Sequence, residues 1–127
     1  MTGERPLFWV GASLECLRSF PEKVVDQMGY ALHLAQQGGK HPDAKPMKGF
    51  QGASVVEVVS DYEGNTWRLI YTLKYRDAVY VLHAFQKKSK QGIKTPKHHI
   101  DLIRVRIKQA MEHYERTCSK KQWQCIR

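Results

Sequence analysis

Only three of the 127 residues are cysteines, and Cys16, Cys118 and Cys125 show no CxxC spacing. An odd, unspaced set does not make a secreted disulfide framework, so a reduced cytoplasmic compartment is the expectation. Long hydrophobic runs are missing as well. Nowhere do about 18 apolar residues follow one another, which leaves no membrane-spanning helix. The opening Met1-Thr-Gly-Glu-Arg-Pro6 lacks the charged-then-apolar layout of a signal peptide. There is no Gly-rich phosphate loop, no GxSxG elbow, no H-E-x-x-H, no internal repeat and no low-complexity tract. A single soluble domain over residues 1–127 is expected, long enough to bury a core without staples.

Negative charge is scarce in one half only. Residues 1–63 hold six Lys/Arg and eight Asp/Glu, whereas residues 64–127 hold fifteen and four, which puts the whole chain at +9. Between Gln86 and Lys108, the side chains of Lys87, Lys88, Lys90, Lys94, Lys97, Arg104, Arg106 and Lys108 are balanced by Asp101 alone. Such a block is either a solvated face or a phosphate-binding surface. Its position at one junction between two structured elements favours phosphate.

The apolar pattern predicts the elements. Leu7-Phe-Trp-Val10, closed by Gly11, reads as a strand, and Ala12–Arg18 as a short helix with Leu14 and Leu17 in the spacing. Ser19-Phe-Pro-Glu22 has the layout of a capping box, behind which Val24, Val25, Met28, Ala31, Leu32 and Ala35 recur at helical spacing. Residues 38–53, broken by prolines and glycines, read as a loop. Val55–Val59 is a strand interrupted by Glu57, followed by turn chemistry at Asp61–Asn65. Trp67–Tyr75 alternates, with Trp67, Leu69, Tyr71, Leu73 and Tyr75 on one face and Arg68, Ile70, Thr72 and Lys74 on the other. Val79–Phe85 is the last strand. Thr95-Pro96 caps a final helix with a buried stripe of Ile100, Ile103, Ile107, Ala110, Met111 and Tyr114. Beyond Glu115 the tail 116–127 has no period. The order β-α-α-β-β-β-α predicts an α+β fold, with two N-terminal helices and a C-terminal helix on a twisted antiparallel sheet.

Six histidines raise the question of metal, but His98 and His99 are adjacent and diverge on a helix, while the other four are scattered. Neither a metal nor a cofactor is called for. Cys16 lies in an apolar helical pattern without an activating partner and reads as a core residue. A cationic site remains. Arg68 reads either as a strand-surface charge or as a fork for phosphate; Lys87-Lys88 end a strand, and Ser89–Lys97 runs lysine-rich into a helix N-terminus. Bidentate, point-charge and backbone donors all suit phosphate oxygens. RNA cleavage through its own 2′-hydroxyl needs only a base, cations for the developing charge and an acid for the leaving 5′-oxygen. Crowded lysines lower one another's pKa, which makes a lysine eligible as base.

Met47-Lys-Gly-Phe50, Trp67-Arg-Leu-Ile-Tyr71 and, most specifically, Val81-Leu-His-Ala-Phe-Gln-Lys-Lys-Ser-Lys-Gln-Gly-Ile-Lys-Thr-Pro-Lys97 resemble the RelE/HigB superfamily. The phage-derived HigB-like branch is nearest, and the likeness covers roughly residues 7–112. The resemblance implies a RelE-like fold and the toxin of a type II toxin–antitoxin pair. It implies a ribosome-dependent, metal-independent mRNA endoribonuclease that inhibits translation. Its partners would be mRNA, the ribosome and a helix-turn-helix, HigA-like antitoxin whose complex binds operator DNA. By position, Arg68 matches the strand arginine at the scissile phosphate and Lys87 the basic residue ending the last strand, with Lys88 beside it. Lys90, Lys94 and Lys97 are the expected RNA-binding lysines, and His99, Lys97 and Tyr71 the candidates for base and acid. The chain departs from some members in having Val56, Glu57 and Val58 where they carry lysines, and His98 and His99 near a family tyrosine. Two alternatives stay open: a non-nuclease toxin on the same scaffold, such as a gyrase inhibitor, and a nucleic-acid-binding module without catalysis.

Overall fold

The computed structural model describes residues 5–50, 52–88 and 95–119. Among these, the chain runs β1 (Leu7–Trp9), α1 (Ser13–Arg18), α2 (Glu22–Gln36), β2 (Ala44–Pro46), β3 (Val55–Tyr62), β4 (Asn65–Thr72), β5 (Val79–Lys88) and α3 (Lys97–His113). A π-helical turn, Tyr114–Ser119, extends α3. The fold is α+β, with one sheet in the order β1-β5-β4-β3-β2.

Two features correct the expected antiparallel sheet. β1 lies parallel to β5, so the sheet is mixed. β2 forms inside the segment read as a loop and pairs antiparallel with β3, Lys45 opposite Glu57. Three residues are too few for alternation to register, and Pro46 masks the signal; as an edge position it loses no ladder bond on the solvent side.

Helices cover both faces. Under α1 and α2, Val24, Met28, Ala31 and Leu32 meet Val58, Leu69, Tyr71 and Val81. On the other face, Ile103 and Ala110 of α3 close over Ile70, Tyr80 and Leu82, with Phe50 at the margin. The Ser19 hydroxyl bonds the Cys16 carbonyl 2.7 Å away and so closes α1 rather than capping α2. Pro21 occupies the N-cap of α2, and Pro96 that of α3, where Thr95 had been expected. β4 stops at Thr72, so the predicted alternation ends there, and Tyr75 joins the α3-side core beside Tyr80 and Tyr114.

Register is what builds the site. The β3–β4 hairpin turns on Glu63 and Gly64, both at positive φ (51° and 80°), the backbone that a two-residue turn between right-twisted strands needs. That turn aligns Val59 with Arg68 and Glu57 with Ile70, which leaves Glu57 and Arg68 diagonal neighbours on one face. A second irregularity lies in β5. Ile70 pairs with His83 but Tyr71 with Val81, so Leu82 is the extra residue of a β-bulge. The bulge sets His83, Phe85 and Lys87 on the α3 face, in line with Ile70, Arg68 and Thr66.

Candidate active site

α3 packs chiefly against β5, and among the described residues the part of the same face around Glu57, Val59 and Arg68 is left uncovered. It forms a groove of about 660 Å³. Glu57, Val59 and Arg68 make the floor, Lys45-Pro-Met-Lys48 one wall, and Thr95 with Ile100 the other. Lys45 and Lys48 are exposed, so the wall presents mobile cations to anything entering.

On the floor, an Nη1–H of Arg68 donates to Oε2 of Glu57 in a direct ion pair. The side chains are only 13% and 15% exposed. A pair withdrawn this far from water is costly to break, because either charge alone would be left largely buried and unpaired. The Arg68 Nε–H is shielded and has no hydrogen-bond partner among the described residues. That leaves one edge of the guanidinium fork uncommitted. Lys87 is 9% exposed. Burial, then the Arg68 charge, lowers its pKa below the ordinary lysine value, while Glu57 pulls the other way.

His99, in the first turn of α3, lies flat on Phe85 with ring centroids 3.9 Å apart, and Phe85 is the cross-strand partner of Arg68. Its Nδ1 is 2.8 Å from Nε2 of His83, which is buried on β5. Arg106 of α3 donates to the Leu82 carbonyl at 2.9 Å and reaches Nδ1 of His83 at 3.5 Å. Burial pushes His99 down to about 4, helped by His98. It does the same to His83, with His99, Arg106 and His98 adding to the effect.

Of the residues singled out in the sequence, Arg68, Lys87 and His99 gather around Phe85. Lys88 closes β5 opposite Asn65. Lys97 is exposed at the start of α3, while Lys90 and Lys94 lie outside the described residues. Tyr71 is 1% exposed in the core on the opposite face, with its pKa pushed up to about 12 by burial. The sequence reading missed the site roles of Glu57, Lys45, Lys48 and His83. Glu57 did leave a signal, as the one charge breaking an apolar strand; Lys45 and Lys48 were hidden in a presumed loop, and His83 depends on the bulge.

A five-stranded mixed sheet between helices, with a cationic groove on one face, is compatible with a RelE-like fold. No curated protein and no solved structure shows a significant match to the chain. Residues 15–108 match the family described as phage derived protein Gp49-like. The chain belongs to that family, a phage-derived family of RelE/HigB-like toxins.

Proposed function

We propose that the protein is the toxin of a type II toxin–antitoxin pair and cleaves mRNA on the ribosome without a metal. The observation that carries this reading is the Glu57–Arg68 pair on the floor of a lysine-walled groove, with Lys87 beside it. A carboxylate, a fixed guanidinium and a lysine of lowered pKa supply the three functions of 2′-hydroxyl transesterification. Glu57 takes the proton of the 2′-hydroxyl, and the 2′-oxygen attacks phosphorus. Arg68 holds the charge of the five-coordinate phosphorane. The bond from phosphorus to the 5′-oxygen breaks as Lys87 gives that oxygen a proton. The products are a 2′,3′-cyclic phosphate and a 5′-hydroxyl. Glu57 then loses its proton to water and Lys87 regains one.

Among the described residues the groove is not closed over, and nothing there encloses an RNA strand. We assign positioning of the scissile bond to the ribosome, which converts a slow encounter into an oriented one. Purified protein incubated with translating ribosomes should give fragments with cyclic phosphate and 5′-hydroxyl ends, cut in frame. Naked message should be cut slowly. Equal rates on both substrates would sink the ribosome dependence, and intact message on both would sink the nuclease reading in favour of another target for this scaffold.

A further inference from the structure

His83 is a buried titratable group that the cleavage scheme leaves unused. Its two ring nitrogens face different neighbours, and the neighbours dictate where its proton sits. Arg106 is a pure donor, so the His83 Nδ1 that it approaches at 3.5 Å must present a lone pair. The proton of neutral His83 is then on Nε2, pointing along the 2.8 Å contact to Nδ1 of His99. With its Nδ1 accepting, neutral His99 must carry its own proton on Nε2. The reverse arrangement would set an N–H of His83 against an N–H of Arg106.

The rings are held as firmly as the protons. Phe85 stacks on His83 at 5.0 Å and on His99 at 3.9 Å, and His98 lies 4.0 Å from the His99 ring. Among the described residues, the titratable groups around the pair are His98 and Arg106 from α3 and Cys16 from α1. None of them is a carboxylate that would favour an imidazolium. His99 opens onto a cavity of about 370 Å³ along the edge of β5, lined also by Trp67, Phe85 and Gln86. Phe85 also pairs across the strands with Arg68.

We propose that His83 is a positioning residue. It fixes His99 as the neutral Nε2–H tautomer, so that His99 offers the RNA strand a hydrogen-bond donor rather than a transferable proton. This rests on the RNA-cleaving reading of the groove, and it removes His99 from the candidates for acid and base. A neutral imidazole donor aimed at an RNA oxygen stabilises charge without a proton leaving the protein. The lowered pKa values of both rings accord with that role.

The test has a spectroscopic arm and a kinetic arm. Two-bond ¹H–¹⁵N correlation of the histidine rings at pH 7 should show His99 as Nε2–H in the parent chain. His83→Leu should lose that pattern. His83→Gln should restore it, because the amide N–H can donate to the same Nδ1. Single-turnover cleavage of ribosome-bound mRNA should fall on the order of 10²-fold in His83→Leu and recover in His83→Gln. Finding His99 as Nδ1–H or as imidazolium in the parent would overturn the proposal. So would parental cleavage by a folded His83→Leu chain that has lost the tautomer. A parent chain with the expected tautomer that cuts no RNA would overturn the substrate half and the nuclease reading together, and leave the tautomer assignment standing.

Discussion

Glu57 and Arg68 show how little separates a structural ion pair from a catalytic one. Both are nearly buried, and each neutralises the other; what makes them a candidate site is that the pair floors an open groove instead of a closed core. Replacing the basic oxygen while keeping the shape separates the two roles. Glu57→Gln should fold, and its single-turnover rate should drop roughly 10²- to 10⁴-fold, the usual span for removing a general base. A rate within twofold of the parent, measured on ribosome-bound mRNA, would return Glu57 to a purely structural role. At this scale the sequence was half legible. Arg68 stood out as a charge on the strand face opposite an aromatic stripe, and Lys87 as a basic residue ending a strand. Their partner did not, because the diagonal contact depends on a hairpin register fixed by positive φ at Glu63 and Gly64.

At the scale of elements, the periodic segments and the short β1 and α1 were read correctly, and β2 was not. The stripe Val24, Met28, Ala31, Leu32 and Ala35 is buried as its spacing required, because five coincident apolar positions leave one helical face to bury. β2, three residues long with a proline, carries no such redundancy. Parallel pairing of β1 with β5 was invisible too, since periodicity says nothing of strand direction. Among these elements α3 has the most to position: its first turn carries His99 and its middle is anchored by Ile103, fully buried among Ile70, Leu82 and Phe85. Ile103→Ala should cost about 2–5 kcal/mol, the range for truncating a buried aliphatic side chain. Urea denaturation of the two chains reads it directly. A loss under about 1 kcal/mol would mean that α3 is not held by this contact.

For the whole molecule, charge and proton uptake are the readable quantities. Lys45 and Lys48 are exposed on the groove wall and belong to the electrostatic footprint rather than to the chemistry. The double change Lys45→Ala/Lys48→Ala should weaken ribosome binding and flatten its salt dependence by about one to two units of slope. Single-turnover cleavage should stay near the parental rate; a rate loss at saturating ribosomes would place these lysines in the reaction. Folding should respond to acid through the histidine pair. His83 and His99 are lowered from 6.5 to about 4, so the unfolded chain binds more protons between those values. Their contribution to stability is therefore complete above pH 6.5 and is lost as the pH falls toward 4. Thermal unfolding followed from pH 7.5 down to 5 should show Tm decreasing, less steeply in His83→Leu. Identical slopes in the two chains would show that the pair is not buried in its neutral form.

The central claim is that the groove does chemistry and does not merely grip phosphate, and Arg68→Ala tests it most directly. Arg68 is assigned to charge that exists only in the transition state, whereas ground-state binding is shared among many cations. Circular dichroism first establishes that the variant is folded, since Glu57 loses its partner. Cleavage of mRNA on stalled ribosomes is then measured under single-turnover conditions, with ribosome affinity determined by pelleting the same samples. The account predicts a rate reduced on the order of 10²-fold or more, with affinity almost unchanged. A folded Arg68→Ala chain that binds poorly but, once bound, cuts at the parental rate would contradict it.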